Sequence, residues 1–163
     1  MSRFRVIAIP TETAEKVRTN MSSPGYGHAA QTELAKGYGP CRHCLRTFRI
    51  GEEQRILFTY DPFLGIEPFP LPGPVYIHAQ ECERYDENAG FPEDMRSHAI
   101  TLDAYAKNRR LLVEEHVETT NIDVTLARLL ATPEVEYVHV RDRDAGCYDF
   151  RIERRQGLIH LTL

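Results

Sequence analysis

The sequence predicts an α+β fold: a mostly antiparallel sheet with two short helices and long loops, organised as one domain over residues 1–163. Three observations predict it. Short runs of β-branched and aromatic residues recur along the chain, few segments carry a helical period, and strands and helices do not alternate regularly. A chain of 163 residues has the size of one hydrophobic core, and 42% hydrophobic with 27% charged residues is an ordinary globular composition.

Phe4 to Ile9 alternates loosely and is rich in β-branched side chains, which predicts a first strand running into Pro10. Thr11 then stands where it can cap a short helix. Glu12 and Glu15 suit its positive first turn, and Ala14, Val17 and Met21 recur at helical spacing. From Ser22 to Pro40, Gly25, Gly27, Gly37 and Gly39 break any period and predict a long irregular connection. Phe48 to Ile50 and Arg55 to Tyr60 flank Gly51 as a predicted hairpin. Pro62, Pro68, Pro70, Pro72 and Pro74 exclude a central strand over 61–74 and predict an extended, rigid cover over the core.

Val75 to Ala79 alternates again, with Val75 and Ile77 on one face and Tyr76 and His78 on the other. Residues 80–97 are polar and irregular, and Ile100 to Tyr105 and Leu111 to Val117 are strand candidates. Thr120 to Asp123 has the form of a capping box before a helix in which Ile122, Leu126, Leu129 and Leu130 share a face, ending near Pro133. Val135 to Arg141 and Cys147 to Arg154 predict a C-terminal hairpin around Gly146.

The formal charge of −4 excludes a nucleic-acid face, because only Arg109-Arg110 and Arg154-Arg155 adjoin and each has acidic neighbours. No apolar run approaches the ~20 residues that cross a bilayer, and the N-terminus lacks the apolar centre of a secretory signal. A cytoplasmic location with reduced cysteines is the expectation. A small-molecule ligand is a partner compatible with this composition, and oligomeric state is not legible.

In the C-terminal hairpin, taking 142–146 as the loop pairs Arg141 with Cys147, Val140 with Tyr148, His139 with Asp149 and Val138 with Phe150. Val138, Val140, Tyr148, Phe150 and Ile152 then face a core, while Tyr137, His139, Arg141, Cys147, Asp149 and Arg151 line a face with no core to serve. In that register the Asp149 carboxylate orients the His139 imidazole as a general base, and the Arg141 guanidinium stabilises a Cys147 thiolate. These four are the candidate catalytic residues of a thiol-dependent enzyme. The alternative is a cross-strand ion pair with no chemistry.

Cys41-Arg42-His43-Cys44 has the spacing at which two thiolates bind one zinc ion or form a reversible disulfide. His78 and Cys82 can complete a Cys3His ligand set, since thiolates favour zinc, although they lie far along the chain from Cys44. Zinc is therefore the candidate cofactor and redox exchange the competing use. His28, His98, His116 and His160 have no partners at ligand or catalytic spacing.

Pro40 to Arg46, Tyr60-Asp61-Pro62-Phe63, Gly73 to His78 with Cys82, Tyr137 to Arg141 and Gly146 to Phe150 together carry a resemblance. With these motifs the chain resembles a bacterial family, the domain-of-unknown-function family numbered 1203, over nearly its whole length. The resemblance implies a small bacterial protein of one domain and supplies no reaction and no catalytic residues.

Overall fold

The computed structural model describes residues 3–156; His160 lies outside them. In chain order the elements are β1 (Phe4–Ile7), α1 (Thr11–Asn20), β2 (Gln31–Leu34), β3 (Gln54–Tyr60) and β4 (Gly73–His78). They continue with β5 (Ile100–Ala106), β6 (Arg110–Val117), α2 (Ile122–Ala131), β7 (Tyr137–Asp142) and β8 (Tyr148–Arg154). The strands form two antiparallel sheets, one of five strands in the order β1-β8-β7-β5-β6 and one of three in the order β2-β3-β4. The fold is α+β.

Alternation explains the larger sheet. Leu102, Ala104, Val138, Val140, Phe150 and Ile152 point to one face, where Ile122, Leu126 and Leu129 of α2 close over them. A second buried cluster packs Ala14 and Val17 of α1 with Ile56, Phe58, Val75 and Ile77 of the smaller sheet. One core was the expectation; two clusters form because each sheet buries its own face under its own helix. Neither helix is capped by its side chains as expected. Pro10 and Asn121 occupy the N-cap positions without a side-chain bond, and Thr11 turns its hydroxyl to His43 instead.

The predicted hairpin at 48–60 does not form. β3 pairs with β2, which lies inside the stretch expected to be irregular, and with β4 on its other side. The proline-rich segment is a cover only at its start: Asp61, Pro62 and Phe63 are buried, while Leu64, Phe69 and Leu71 stand exposed.

The C-terminal hairpin departs from the expected register by two residues, for two separable reasons. Its turn is one residue shorter than supposed: Asp142 N–H donates to Cys147 O, Gly146 N–H closes back on Asp142 O, and Gly146 takes a φ of 75°. Arg141 therefore faces Tyr148. A bulge at Asp149 adds the second offset, so that Val140 faces Phe150, His139 faces Arg151 and Val138 faces Ile152. Beyond the bulge the two offsets together restore the expected faces; before it the turn's single offset moves Tyr148 across to the side of His139. Nor is that side open: His139 is 2% exposed and Asp149 1%.

Candidate metal centre

Three chain segments, the end of β4, the stretch that carries Cys82 and the turn itself, meet at the Cys41–Cys44 turn. An isolated bridge between Pro40 and Thr47 closes its base, Cys41 N–H donates to Arg46 O, and Leu45 N–H returns to Cys41 O with Leu45 in the left-handed region at φ 59°. This tight turn points both thiols the same way. β4 passes beside it, linked by Arg42 N–H to Tyr76 O, and delivers His78 at its end. The following irregular segment brings Cys82, pinned by Tyr85 N–H to His43 O and by the Arg84 guanidinium to the carbonyls of Ala8 and Ile9.

The result is a Cys3His group in which the ligand atoms of Cys41, Cys44, His78 and Cys82 all lie within 4.8 Å of one another. Cys41 Sγ is 3.8 Å from Cys82 Sγ, and Cys44 Sγ is 3.4 Å from His78 Nδ1. Zinc bonds of about 2.3 Å to sulfur and about 2.0 Å to nitrogen, set at the tetrahedral angle, give edges of about 3.8 Å and about 3.5 Å. Two of the six separations match those edges and the other four stay within 4.8 Å, so the donor set can close around one such ion.

The surroundings are organised for negative sulfur. His78 Nε2 is 3.1 Å from Glu53 Oε2, which itself accepts from Arg49 N–H at 2.8 Å, leaving Nδ1 to face the thiols. His43 Nδ1 is 3.2 Å from Cys82 Sγ, its other nitrogen is 2.9 Å from the Thr11 hydroxyl, and Arg18 donates to Cys82 Sγ and to His78 O. Contact with Cys41 and Cys44 drives the Cys82 thiol strongly down and contact with Cys41 and Cys82 drives Cys44 up. Burial opposes charge on His78, but the adjacent Cys41 and Cys82 sulfurs and Glu53 outweigh it and raise the imidazole to about 10. Cys44, His78 and Cys82 also line an open cleft of about 820 Å³, so one side of the centre faces solvent.

The four residues of the C-terminal hairpin are distributed differently. His139 and Asp149 do not pair. Asp149 lies 3.3 Å from the Arg42 guanidinium, yet neither carboxylate oxygen receives a hydrogen bond among the described residues. Burial outweighs the guanidinium and raises the carboxyl to about 7. Arg141 is engaged by Asp103 at 2.6 Å and by Glu114 at 3.1 Å rather than by the Cys147 sulfur. Burial raises the Cys147 thiol, the opposite of the activation expected from a nearby cation. The arrangement that suggested a base and an activated thiol is therefore absent, although His139, Arg141 and Cys147 do line one common cavity.

Glu53, Arg18 and Thr11 escaped the sequence reading because nothing local marks them; each reaches the centre through tertiary contact. His43 did carry a signal, standing inside the Cys41–Cys44 motif.

Residues 38–154 match the family described as protein of unknown function (DUF1203), and the chain belongs to that family. The match includes all four clustered residues. Among curated proteins and among solved structures nothing matches. No helix among the described residues is long and apolar enough to cross a membrane.

Proposed function

We propose that this member of the DUF1203 family is a zinc-holding module in which Cys41, Cys44, His78 and Cys82 bind one zinc ion with a structural role. The observation that carries the reading is the agreement of the 3.8 Å and 3.4 Å separations with the edges of a zinc tetrahedron. Four protein ligands complete the coordination, which is the pattern of structural rather than hydrolytic zinc. The Glu53 carboxylate behind His78 supports the same reading, since ligating imidazoles generally donate their second N–H to such a partner. Three thiolates leave the loaded site with one net negative charge, which Arg18 offsets. Zinc would tie the Cys41–Cys44 turn, the end of β4 and the Cys82 segment together. Thiolate ligation suits the reducing cytoplasm.

Elemental analysis of protein purified without chelator tests this directly. About one zinc per chain is expected, and cobalt substitution should give the thiolate-to-metal absorption of a Cys3His site. Less than about a tenth of an equivalent of any transition metal, in protein that remains folded, removes the proposal.

A second reading, thiol redox exchange, is favoured by one contact: Cys41 and Cys82 sulfurs stand 3.8 Å apart on different segments. It expects a Cys41–Cys82 disulfide on mild oxidation of metal-free protein, read by peptide mapping.

A further inference from the structure

A second cavity, of about 430 Å³, lies between the proline-rich segment and the β7–β8 hairpin, remote in character from the thiol centre. Its walls are Phe63, Leu71, Pro72 and Tyr148, and it reaches His139, Arg141 and Cys147. His139 is enclosed by rings, with Phe63, Tyr105, Tyr137 and Tyr148 centred 4.8 to 5.3 Å away. Its Nε2 is buried and has no hydrogen-bond partner among the described residues. Buried polar nitrogens are nearly always paired, so an enclosed imidazole left open beside a cavity asks for a partner from that cavity.

We propose that this cavity binds a compact aromatic molecule carrying an N–H or O–H donor, with the His139 imidazole as acceptor and Cys147 at the edge of the site.

The chemistry of the lining selects that class. Aromatic and proline walls favour a flat apolar body, and a small number of polar groups fix its orientation. Burial, with Arg151 and Arg141 nearby, holds His139 neutral, which leaves a ring nitrogen free to accept. The charged groups on the lining are Asp103, Glu114 and Arg141, which engage one another and sum to −1, so an anion is disfavoured. The rings shield Nε2 from bulk water. Phe63 is the ring that separates Nε2 from the cavity mouth, so a ligand that reaches the nitrogen has to displace it.

Indole and phenol are the probes, with toluene lacking a donor and benzoate carrying a negative charge as controls. Each is titrated into histidine-labelled protein as purified, following the His139 nitrogen resonances by NMR and Cys147 alkylation by iodoacetamide at the peptide level. Indole and phenol are expected to saturate, to shift the His139 resonance and to slow Cys147 alkylation at least threefold. Toluene should bind at least threefold more weakly and benzoate not at all. Leu71→Trp, a change at an exposed position on the cavity wall, should abolish protection without unfolding the chain. His139→Phe should erase the preference for phenol over toluene. The inference is overturned by the absence of a saturable response to indole and phenol, by an equal response to benzoate or toluene, or by protection that survives Leu71→Trp. None of these outcomes depends on whether the thiol centre holds zinc.

Discussion

His78 and His139 are both withdrawn from water, and their surroundings push them in opposite directions. His78 has a partner on each ring nitrogen, Cys44 on one side and Glu53 on the other, and Cys41, Cys82 and Glu53 together outweigh burial to favour positive charge. His139 has rings on all sides, guanidiniums nearby and an unpaired Nε2, and it stays neutral down to about pH 3. Burial acts on both; the sign of the neighbours decides the outcome. One environment is suited to gathering a cation and the other to receiving a neutral donor.

The sharpest way to break this comparison is to remove a ligand. Cys41→Ser should reduce bound zinc from about one equivalent to below about a tenth and lower stability by several kcal/mol, because metal-binding free energy is folding free energy in such sites. Elemental analysis with thermal denaturation reads both. On the opposite side, Phe63→Ala removes a fully buried ring that packs on His139 and anchors the proline-rich segment, and should cost about 3–5 kcal/mol in urea denaturation while leaving zinc content unchanged. Glu53→Gln keeps all four ligands but weakens the hold on His78. Zinc affinity measured by chelator competition should fall about 10- to 100-fold.

The smallest effect is a slope. His139 titrates near pH 3 when folded and near 6.5 when unfolded, so its contribution is complete above about 6.5 and is lost as pH falls toward 3. Asp149 runs the other way: raised to about 7 in the fold, it contributes fully below about 4, and that contribution is lost as pH rises through 7. Between about pH 4 and 6.5 the two cancel. Relative to the parent, His139→Phe should therefore lose stability with rising pH, and Asp149→Asn should gain it, each by at most about 1.4 kcal/mol per pH unit. Denaturation midpoints across that window read both signs.

What could be read in advance was what alternation and spacing control. Val138, Val140, Phe150 and Ile152 lie on the predicted core face, the α2 stripe of Ile122, Leu126 and Leu129 is buried, and Cys41, Cys44, His78 and Cys82 come together in space. The pairing partners were not legible. A turn shorter by one residue and a bulge at Asp149 leave no mark in the local pattern, yet together they move every pairing across the hairpin. β2 was invisible because Gln31–Leu34 is a short, mostly exposed edge strand with no apolar alternation to mark it. Of the rings around His139, Phe63 comes from a distant loop and Tyr105 from β5, and a pattern internal to the hairpin carries no trace of either.

Arg42 stands within the Cys41–Cys44 motif yet spends its side chain elsewhere. Arg42 is 3% exposed, and its guanidinium donates to Tyr148 O at 2.9 Å and to Pro40 O at 2.7 Å and lies beside Asp149. The thiol turn is thus braced against the strand that roofs the second cavity, and a charged crossbeam runs between the two hydrophobic clusters. Removing Asp149 strands the Arg42 guanidinium in the interior. The two sheets should accordingly melt together, and calorimetry should record a single heat-absorption peak.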